Sequence, residues 1–346
     1  MKKILMVSVM VCLVLGMAFA GGGSDKAVSD KAQPQAQPQK TVTLKYAHVG
    51  IAGEIQTRYA DEFAELVKQK SNGALIIQVF PNSQLGGANE MVDGIKSGAI
   101  SMGHHDFATL GKYLTDISVF NAPYIYRDGK HALAATTPKT SPVLQKINEK
   151  LVQVAGLRVL GSHYRGARQL TANFPVYSPD DLKGKKIRGT PVELWMSMIK
   201  GMGAIPTPVE ITELYMALKT GMVSGEENPL TNIYTQKFHE VQPYVMMTAH
   251  MQAALCTFIN ENVWQGLSAD NQKIISDALE EVGLRSLKWV DEQEAPVIKA
   301  MKDYGVKFID ESNGLKNDLF KKSVNAQIAI DFPGWTDYIR DIQNMK

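Results

Sequence analysis

The chain has 346 residues, 45% of them hydrophobic, and carries 37 basic against 35 acidic residues. This length and apolar content are enough for one large or two medium domains with real cores, which excludes an intrinsically disordered protein. No basic block and no alternation of basic and aromatic residues runs along the sequence, so we expect no nucleic-acid partner.

The N-terminus has the pattern of a secretory signal peptide. Two lysines precede a short apolar stretch that ends in Ala18-Phe19-Ala20, the A-x-A form of a cleavage site. We expect residues 1–20 to be removed, which leaves 35 basic and 35 acidic residues on a periplasmic protein. An alternative makes Cys12 a lipid-attachment site, but no small residue stands where that cleavage needs one, which argues against a lipid anchor.

Residues 21–40 change to a composition rich in glycine, glutamine and proline, which predicts a disordered tether. Beyond the leader only Cys256 remains, so we expect neither an intramolecular disulfide nor a metal site built from cysteines.

The globular part opens with a β-α-β succession. An alternating strand over 42–47 precedes a helix with apolar residues at helical spacing, which Ser71-Asn72-Gly73 ends before a strand over 74–80. Because this succession recurs along the chain, the sequence predicts mostly parallel sheets with helices on both faces.

Two marked helix starts follow. Ser141-Pro142 begins a helix that ends at Gly156 before a strand over 157–160, and Ser178-Pro179 begins a short turn before a strand over 185–188.

The later part of the chain is mainly helical. One helix ends near Gly201 and another covers Thr212 to Thr220. A long helical pattern runs from about Ser268 to about Asp291, where we expect Pro296 to interrupt or kink its continuation.

The sequence lacks the common catalytic and phosphate-binding motifs, which argues against an enzyme. His104-His105-Asp106 is the most metal-like string, but neighbours on a strand point to opposite sides, so we favour pocket lining or packing over a metal site. Asp180-Asp181 resembles a catalytic carboxylate pair, but its place at a predicted helix N-terminus indicates a structural role.

Five motifs occur in order in the middle of the chain. Written as patterns they are G-x-R, D-L-K-G-x-K-x-R, G-A-x-P-x-P, E-x-Y-x-A-L-x-x-G and G-x-E-N-P, and here they occupy Gly166–Arg168, Asp181–Arg188, Gly203–Pro208, Glu213–Gly221 and Gly225–Pro229. Together the motifs resemble the DctP family, the substrate-binding proteins of tripartite ATP-independent periplasmic (TRAP) transporters. The likeness spans about Val42 to His250, and Ser224 departs from the aspartate that the family often has before its last motif.

The resemblance implies an α/β, two-lobed clam of the periplasmic-binding-protein type. Each lobe is a β-sheet flanked by helices, and a long helix spans the lobes. We expect lobe 1 to comprise residues 41–163 plus about 252–292, and lobe 2 residues 164–251 plus about 293–346. The lobes close on a small organic acid, such as a uronate or a C4-dicarboxylate, and deliver it to the membrane subunits of the transporter.

The same resemblance implies a monomer that needs no cofactor. One alternative is a sensor that presents its bound ligand to a membrane receptor. Another is an exported hydrolase, which would need a nucleophile-base pair or a metal set.

Arg188, at the end of the second motif, is the residue that the resemblance pairs with the ligand carboxylate. An arginine suits that task because its planar guanidinium matches a carboxylate with two parallel hydrogen bonds. The resemblance also brings to the ligand Arg168 as a second cation, Asn228 as an amide, Asp106 with its neighbours His105, Phe107 and Thr109, the loop residues Val49 and Glu54, and Ile211. Arg165 is an extra cation that either favours a dianion or is solvated.

Overall fold

The structure is a computed structural model that describes residues 41–345. The predicted signal peptide and tether lie outside the described residues. Within them, nine strands form one sheet in the order β2-β1-β3-β8-β4-β7-β5-β6, with β9 paired to β8. The strands are β1 (Val42–Ala47), β2 (Leu75–Phe80), β3 (Met102–Asp106), β4 (Leu157–Ala172), β5 (Lys186–Gly189), β6 (Ile205–Pro208), β7 (Gly225–Pro229), β8 (Tyr244–Asn260) and β9 (Lys307–Ile309).

Helices surround this sheet. They are α1 (Ile55–Lys70), α2 (Ala88–Ser97), α3 (Gly129–Thr136), α4 (Pro142–Ala155), α5 (Glu193–Gly201), α6 (Ile211–Lys219), α7 (Leu230–Thr235), α8 (Glu261–Gln265), α9 (Ala269–Tyr304), α10 (Asn317–Asp331) and α11 (Thr336–Gln343). We call β2, β1 and β3 with α1 and α2 the first half, and β7, β5 and β6 with α5, α6 and α7 the second half.

The sheet is mixed, so the prediction of mostly parallel pairing is only partly right. Pairing is parallel between β1 and its neighbours β2 and β3, and between β5 and its neighbours β6 and β7. The centre is antiparallel, since β8 pairs with β3 and β4, and β4 with β7. A β-α-β succession reports only on strands that follow each other in sequence, whereas β4 and β8 meet from distant parts of the chain.

Strand β4 is much longer than the strand over 157–160 that the sequence predicted. It continues to Ala172 through three irregularities in its pairing with β8, near Gly161, Gly166 and Arg168. Glycines that resemble chain breaks in the sequence are accommodated here as bulges, and Gly166 has a φ of 106° that favours glycine. Because β4 and β8 run through the middle of the sheet, they connect the two halves.

The long helix is confirmed, but its predicted end at Asp291 is wrong. Helix α9 runs for 36 residues, with Pro296 inside it and Ser268 accepting a hydrogen bond from the Asn271 N–H at its start. Proline removes one intrahelical hydrogen bond, and because Pro296 is exposed, water can bind the carbonyl left free. The helix packs against α1 and β4 and reaches α7 in the second half.

The marked helix starts are confirmed. Ser141 accepts a hydrogen bond from the Leu144 N–H at the start of α4, with Pro142 as the first helical residue. Asp181 accepts hydrogen bonds from the N–H groups of Tyr177 and Ser178, which is the structural role expected of the Asp180-Asp181 pair.

In residues 41–345, buried apolar side chains form three clusters, of which the largest spans both halves, with Ile95 of α2 and Trp195 of α5 among its members. Tyr46, Phe63 and Leu75 pack with α9 in the first half, whereas Leu214 and Phe238 belong to a cluster in the second. Within residues 41–345, no helix combines the length and the apolar character needed to cross a bilayer.

Candidate ligand-binding site

A polar cavity lies between the two halves, at the carboxyl ends of their parallel strands. In open α/β sheets this edge is where ligands bind. Both halves and the central strands supply its lining, which consists of Val49, Gln56, Ala88, His105, Asp106, Arg165, Arg188, Thr190, Glu210, Ile211, Asn228, Asn232 and Leu255. Six of the ten residues that the resemblance brings to the ligand are therefore found together here: Arg188, Asn228, Asp106, His105, Ile211 and Val49.

Arg188 places its guanidinium in this cavity from the end of β5. Its side chain is only 2% exposed, and its Nε donates a hydrogen bond to the Val209 carbonyl at 2.8 Å. Its two Nη groups donate to no acceptor in residues 41–345. Burial lowers the pKa of Arg188 to about 10, opposed by the carboxyl groups of Glu226 and Glu227, so the group remains a cation at neutral pH. A buried fork with two open Nη groups is suited to a carboxylate.

A second group of polar atoms lies on the wall formed by β3, β4 and α7. Arg165 Nη2 is 4.0 Å from Asp106 Oδ1, and His105 Nδ1 is 3.6 Å from Asp106 Oδ2, both too long for a hydrogen bond. Asp106 Oδ1, His105 Nδ1, Arg165 Nε and Asn232 Oδ1 are buried without a partner in the described chain. Since buried polar atoms are nearly always hydrogen-bonded in native proteins, this wall offers both donors and acceptors to a polar ligand.

Two lining residues belong to the second half. One lies near the end of strand β7 and the other begins helix α6. Asn228 lies on β7, and its Nδ2 donates a hydrogen bond to Glu226 Oε2 at 2.6 Å. Ile211 is the first residue of α6, whose N-cap Glu210 makes no side-chain capping bond, so the first N–H groups of the helix are not capped by it.

Arg168 is not among the lining residues, contrary to its expected place as a second ligand cation. Its Nε is ion-paired with Glu227, whose Oε1 also accepts from Arg168 Nη2 and from Trp195 Nε1, both at 2.7 Å. Burial acts to raise the pKa of Glu227, but Arg168 and His250 hold it below the usual range. The charge of Arg168 is therefore balanced inside the protein before any ligand arrives.

Glu54 and Thr109 also lie outside the lining set. Glu54 accepts hydrogen bonds from Gln56 and, at 2.6 Å, from Gln236 Nε2 at the end of α7, so it joins the first half to the second. Thr109 Oγ1 donates to the Asp106 carbonyl at 2.7 Å and thereby holds the chain that carries Asp106.

Several lining residues were not predicted from the sequence. Thr190 follows Arg188 at the same strand end, and Glu210 precedes Ile211, so strand-end and helix-start positions would have pointed to both. Gln56 and Asn232 lie inside helices α1 and α7, where no local pattern separates a cavity side chain from a surface one.

His104 and His105 point to different environments, as expected for neighbours on a strand. His104 Nδ1 is 2.8 Å from the Tyr46 hydroxyl, and its ring stacks on His48 with centroids 4.7 Å apart. His105 lines the cavity. Among residues 41–345, no set of three histidine, cysteine or acidic side chains has the arrangement of a metal site.

A larger cavity of about 610 Å³ lies elsewhere, between α3, β4 and α9. Its walls are mostly apolar, and at its rim Lys139 is ion-paired with Glu280 at 2.9 Å. No side chain that lines it appears among the buried polar atoms without partners in the described residues. The smaller polar cavity is therefore the candidate site for an organic acid.

Comparison with protein families gives a match over residues 46–327 to the DctP family, described as bacterial extracellular solute-binding protein, family 7. The chain belongs to this family. The recognition based on its ordered motifs is thus confirmed: the protein is an extracytoplasmic solute-binding protein of the TRAP type.

Characterised relatives bind several acids. The sialic acid-binding periplasmic protein of Vibrio cholerae is 31% identical over 76% of this chain and 81% of its own length. The 2,3-diketo-L-gulonate-binding periplasmic protein of Escherichia coli is 29% identical over 88% of this chain and 92% of its own. The C4-dicarboxylate-binding periplasmic protein of Rhodobacter capsulatus is 30% identical over 76% and 78%.

Solved structures confirm the two-lobed α/β fold. A TRAP periplasmic solute-binding protein of Actinobacillus succinogenes with bound L-galactonate matches with a TM-score of 0.82 at 29% identity, covering 88% of this chain and 99% of that one. Another from a Bradyrhizobium species, in complex with D-galacturonate, matches with a TM-score of 0.80 at 26% identity, covering 88% and 100%.

Proposed function

We propose that this TRAP solute-binding protein captures a hydroxylated monocarboxylate, such as an aldonate or a uronate, in the cavity between its halves. The observation that carries the proposal is the buried guanidinium of Arg188, which lines the cavity with both Nη groups open. The ligand carboxylate binds there in a bidentate manner, because removing a carboxylate from water is costly unless a cation pairs with it.

The wall formed by β3, β4 and α7 favours hydroxyl groups over a second carboxylate. Asp106 Oδ1 and Asn232 Oδ1 are acceptors without partners in the described chain, and a hydroxyl group can donate to either. Asp106 also offsets the positive charge of Arg165, so this wall offers little net charge to a second anion. The L-galactonate and D-galacturonate of the similar structures have this chemistry, one carboxylate and several hydroxyl groups.

The roles of the remaining predicted residues follow from their contacts. His105, Asn228 and Ile211 contact the ligand from the cavity wall. Arg168 acts as a positioning residue that fixes Glu227. Glu54 and Thr109 hold the loops that carry lining residues.

Capture occurs by closure of two lobes with the predicted boundaries, 41–163 plus about 252–292 and 164–251 plus about 293–346. Contacts between the halves support this division: Gln236 donates to Glu54 at 2.6 Å, and Asn89 Nδ2 donates to the Pro191 carbonyl at 3.3 Å. Ligand shifts the population to the closed state by its greater affinity for it.

The closed form then delivers the acid to the membrane subunits of a TRAP transporter. We further propose that the protein is a monomer without enzymatic activity, exported by a cleavable signal peptide over residues 1–20 and tethered through 21–40.

A thermal-shift screen tests the ligand class. The purified protein is heated with L-galactonate, D-galacturonate, succinate and the uncharged sugar D-galactose. At about 100 times its Kd, a ligand adds about 2.7 kcal/mol to the unfolding free energy, which raises Tm by several degrees. We expect the two sugar acids to raise Tm and galactose to leave it unchanged. A larger shift with succinate would contradict the hydroxyl assignment, and no shift with any acid would contradict the proposed function.

A further inference from the structure

Glu226 is a buried carboxyl group in contact with the cavity residue Asn228. It lies on β7 and is fully buried, with Oε2 accepting from Asn228 Nδ2 at 2.6 Å and Oε1 accepting from Thr171 Oγ1 at 3.1 Å. It occupies the variable position of the G-x-E-N-P motif. Its neighbour Glu227 is paired with Arg168, whereas no arginine within residues 41–345 forms an ion pair or hydrogen bond with Glu226.

The charges around Glu226 come from three strands. Glu227 is its neighbour on β7, Arg188 faces it from β5 and Arg168 from β4, where Thr171 is a neutral partner. Burial raises the pKa of Glu226 to about 7; Asn228, Arg188 and Arg168 lower it, and Glu227 raises it. Because Arg168 is paired with Glu227 and Arg165 lies beside Asp106, Arg188 is the cation shared between Glu226 and an anion in the cavity.

We propose that Glu226 takes up one proton from solvent when an organic anion binds, so that capture of the ligand is coupled to proton uptake. This inference rests on the proposed function. A ligand carboxylate on Arg188 and Asn228 brings a second negative charge close to Glu226. Two carboxylates that share a buried site with one available cation do not both remain ionised. The carboxyl group of a sugar acid is much more acidic than Glu226, whose pKa burial has raised, so the ligand keeps its charge and the proton goes to Glu226.

Protonation also changes what Asn228 can offer. An ionised Glu226 only accepts, so it occupies one N–H of the Asn228 amide. A protonated Glu226 donates its O–H to Asn228 Oδ1 once the amide has turned over, and both amide N–H groups then face the cavity. The oxygen and the NH₂ group of an asparagine amide have nearly the same shape and differ in whether they accept or donate hydrogen bonds. The surrounding hydrogen-bond partners therefore determine which way the amide is turned.

Binding of the sugar acid that gives the larger thermal shift, L-galactonate or D-galacturonate, is measured by calorimetry at several pH values. For the wild-type protein, affinity falls about tenfold for each pH unit above about 7 and is level below about 6. The enthalpy measured in phosphate and in Tris at one pH above 7 differs, because protons are taken from the buffer.

Glu226→Gln is the variant that mimics the protonated group. We expect it to bind with affinity close to that of the wild-type protein at low pH, to lose the pH dependence above 7, and to show the same enthalpy in both buffers. Glu210→Gln is the matched control, since Glu210 is another carboxyl on the cavity with a pKa raised by burial. This variant keeps the pH slope.

A wild-type affinity that is flat across this range, or a Glu226→Gln protein that retains the slope, would overturn the inference while leaving the proposed function intact. If Glu226→Gln does not fold, the binding enthalpies of the wild-type and Glu210→Gln proteins in phosphate and in Tris decide the question. Proton uptake by both proteins supports Glu226 as the group that takes up the proton. Loss of proton uptake in Glu210→Gln overturns the inference. If neither sugar acid binds at any pH, the proposed function itself has failed.

Discussion

Replacing Glu227 with glutamine removes the carboxylate that balances Arg168 inside the protein. Both side chains are buried, at 0% and 1% exposure, and the carboxylate also accepts hydrogen bonds from Trp195 and lies 2.9 Å from His250 Nε2. Glutamine keeps the shape and one acceptor oxygen, but it leaves the Arg168 cation without a counter-charge. Breaking a buried ion pair from one side costs about 3–5 kcal/mol, and we expect the lower end here because part of the hydrogen bonding survives.

Urea unfolding of Glu227→Gln and wild-type protein measures this difference in unfolding free energy. The matched control is Asp277→Asn, which removes the same charge from the exposed pair that Asp277 makes with Lys273 at 2.7 Å. We expect that control to lose about 0.5 kcal/mol or less, since exposed pairs contribute little. If Glu227→Gln loses no more than Asp277→Asn, the interpretation of Arg168 as an internally balanced cation is wrong.

Two further stability predictions follow from buried positions. Burial lowers the pKa of His163 well below 6.5, so the folded protein binds fewer protons than the unfolded chain in acid and loses stability as pH falls through 6.5. Urea titrations should show His163→Phe removing about 1.4 kcal/mol per pH unit from that slope below pH 6; an unchanged slope would contradict this. Gly103→Ala places a Cβ against the Ala47 carbonyl oxygen, across β1 and β3, and should cost about 1–3 kcal/mol of unfolding free energy; Gly334→Ala, with open space around it, serves as the unaffected control.

Local chemistry made the starts of two helical segments predictable. The Ser141-Pro142 pair predicted the start of α4, and the acidic pair at 180–181 was correctly interpreted as part of a helix start. The end of α9 was missed, since sequence alone did not reveal that Pro296 faces solvent, where its lost hydrogen bond costs little. The predicted strand over 157–160 covers only the start of β4. Glycines such as Gly161 and Gly166 often mark the end of a strand, but here the pairing with β8 continues past both through bulges.

In the candidate site, too, local sequence predicted some features, whereas others depend on contacts between distant parts of the chain. Arg188 and Arg168 both belong to family motifs, and nothing local distinguishes them. What separates their surroundings is Glu227, which lies 59 residues from Arg168 in sequence and is brought to it by the pairing of β4 with β7. Gln56 and Asn232 line the cavity from helices α1 and α7, and neither was predicted. The two helices are brought together only when the chain folds, so local sequence does not reveal this contact.

The binding affinity of Arg188→Ala tests the central claim most directly. The purified variant and the wild-type protein are titrated by calorimetry with the sugar acid that gives the larger thermal shift, after circular dichroism has shown that both are folded. Removing the buried guanidinium of Arg188, whose Nη groups are open to the cavity, should weaken binding by on the order of 3–5 kcal/mol, a loss of at least a hundredfold in affinity. Affinity within a few-fold of the wild-type value would show that the ligand carboxylate does not bind at Arg188.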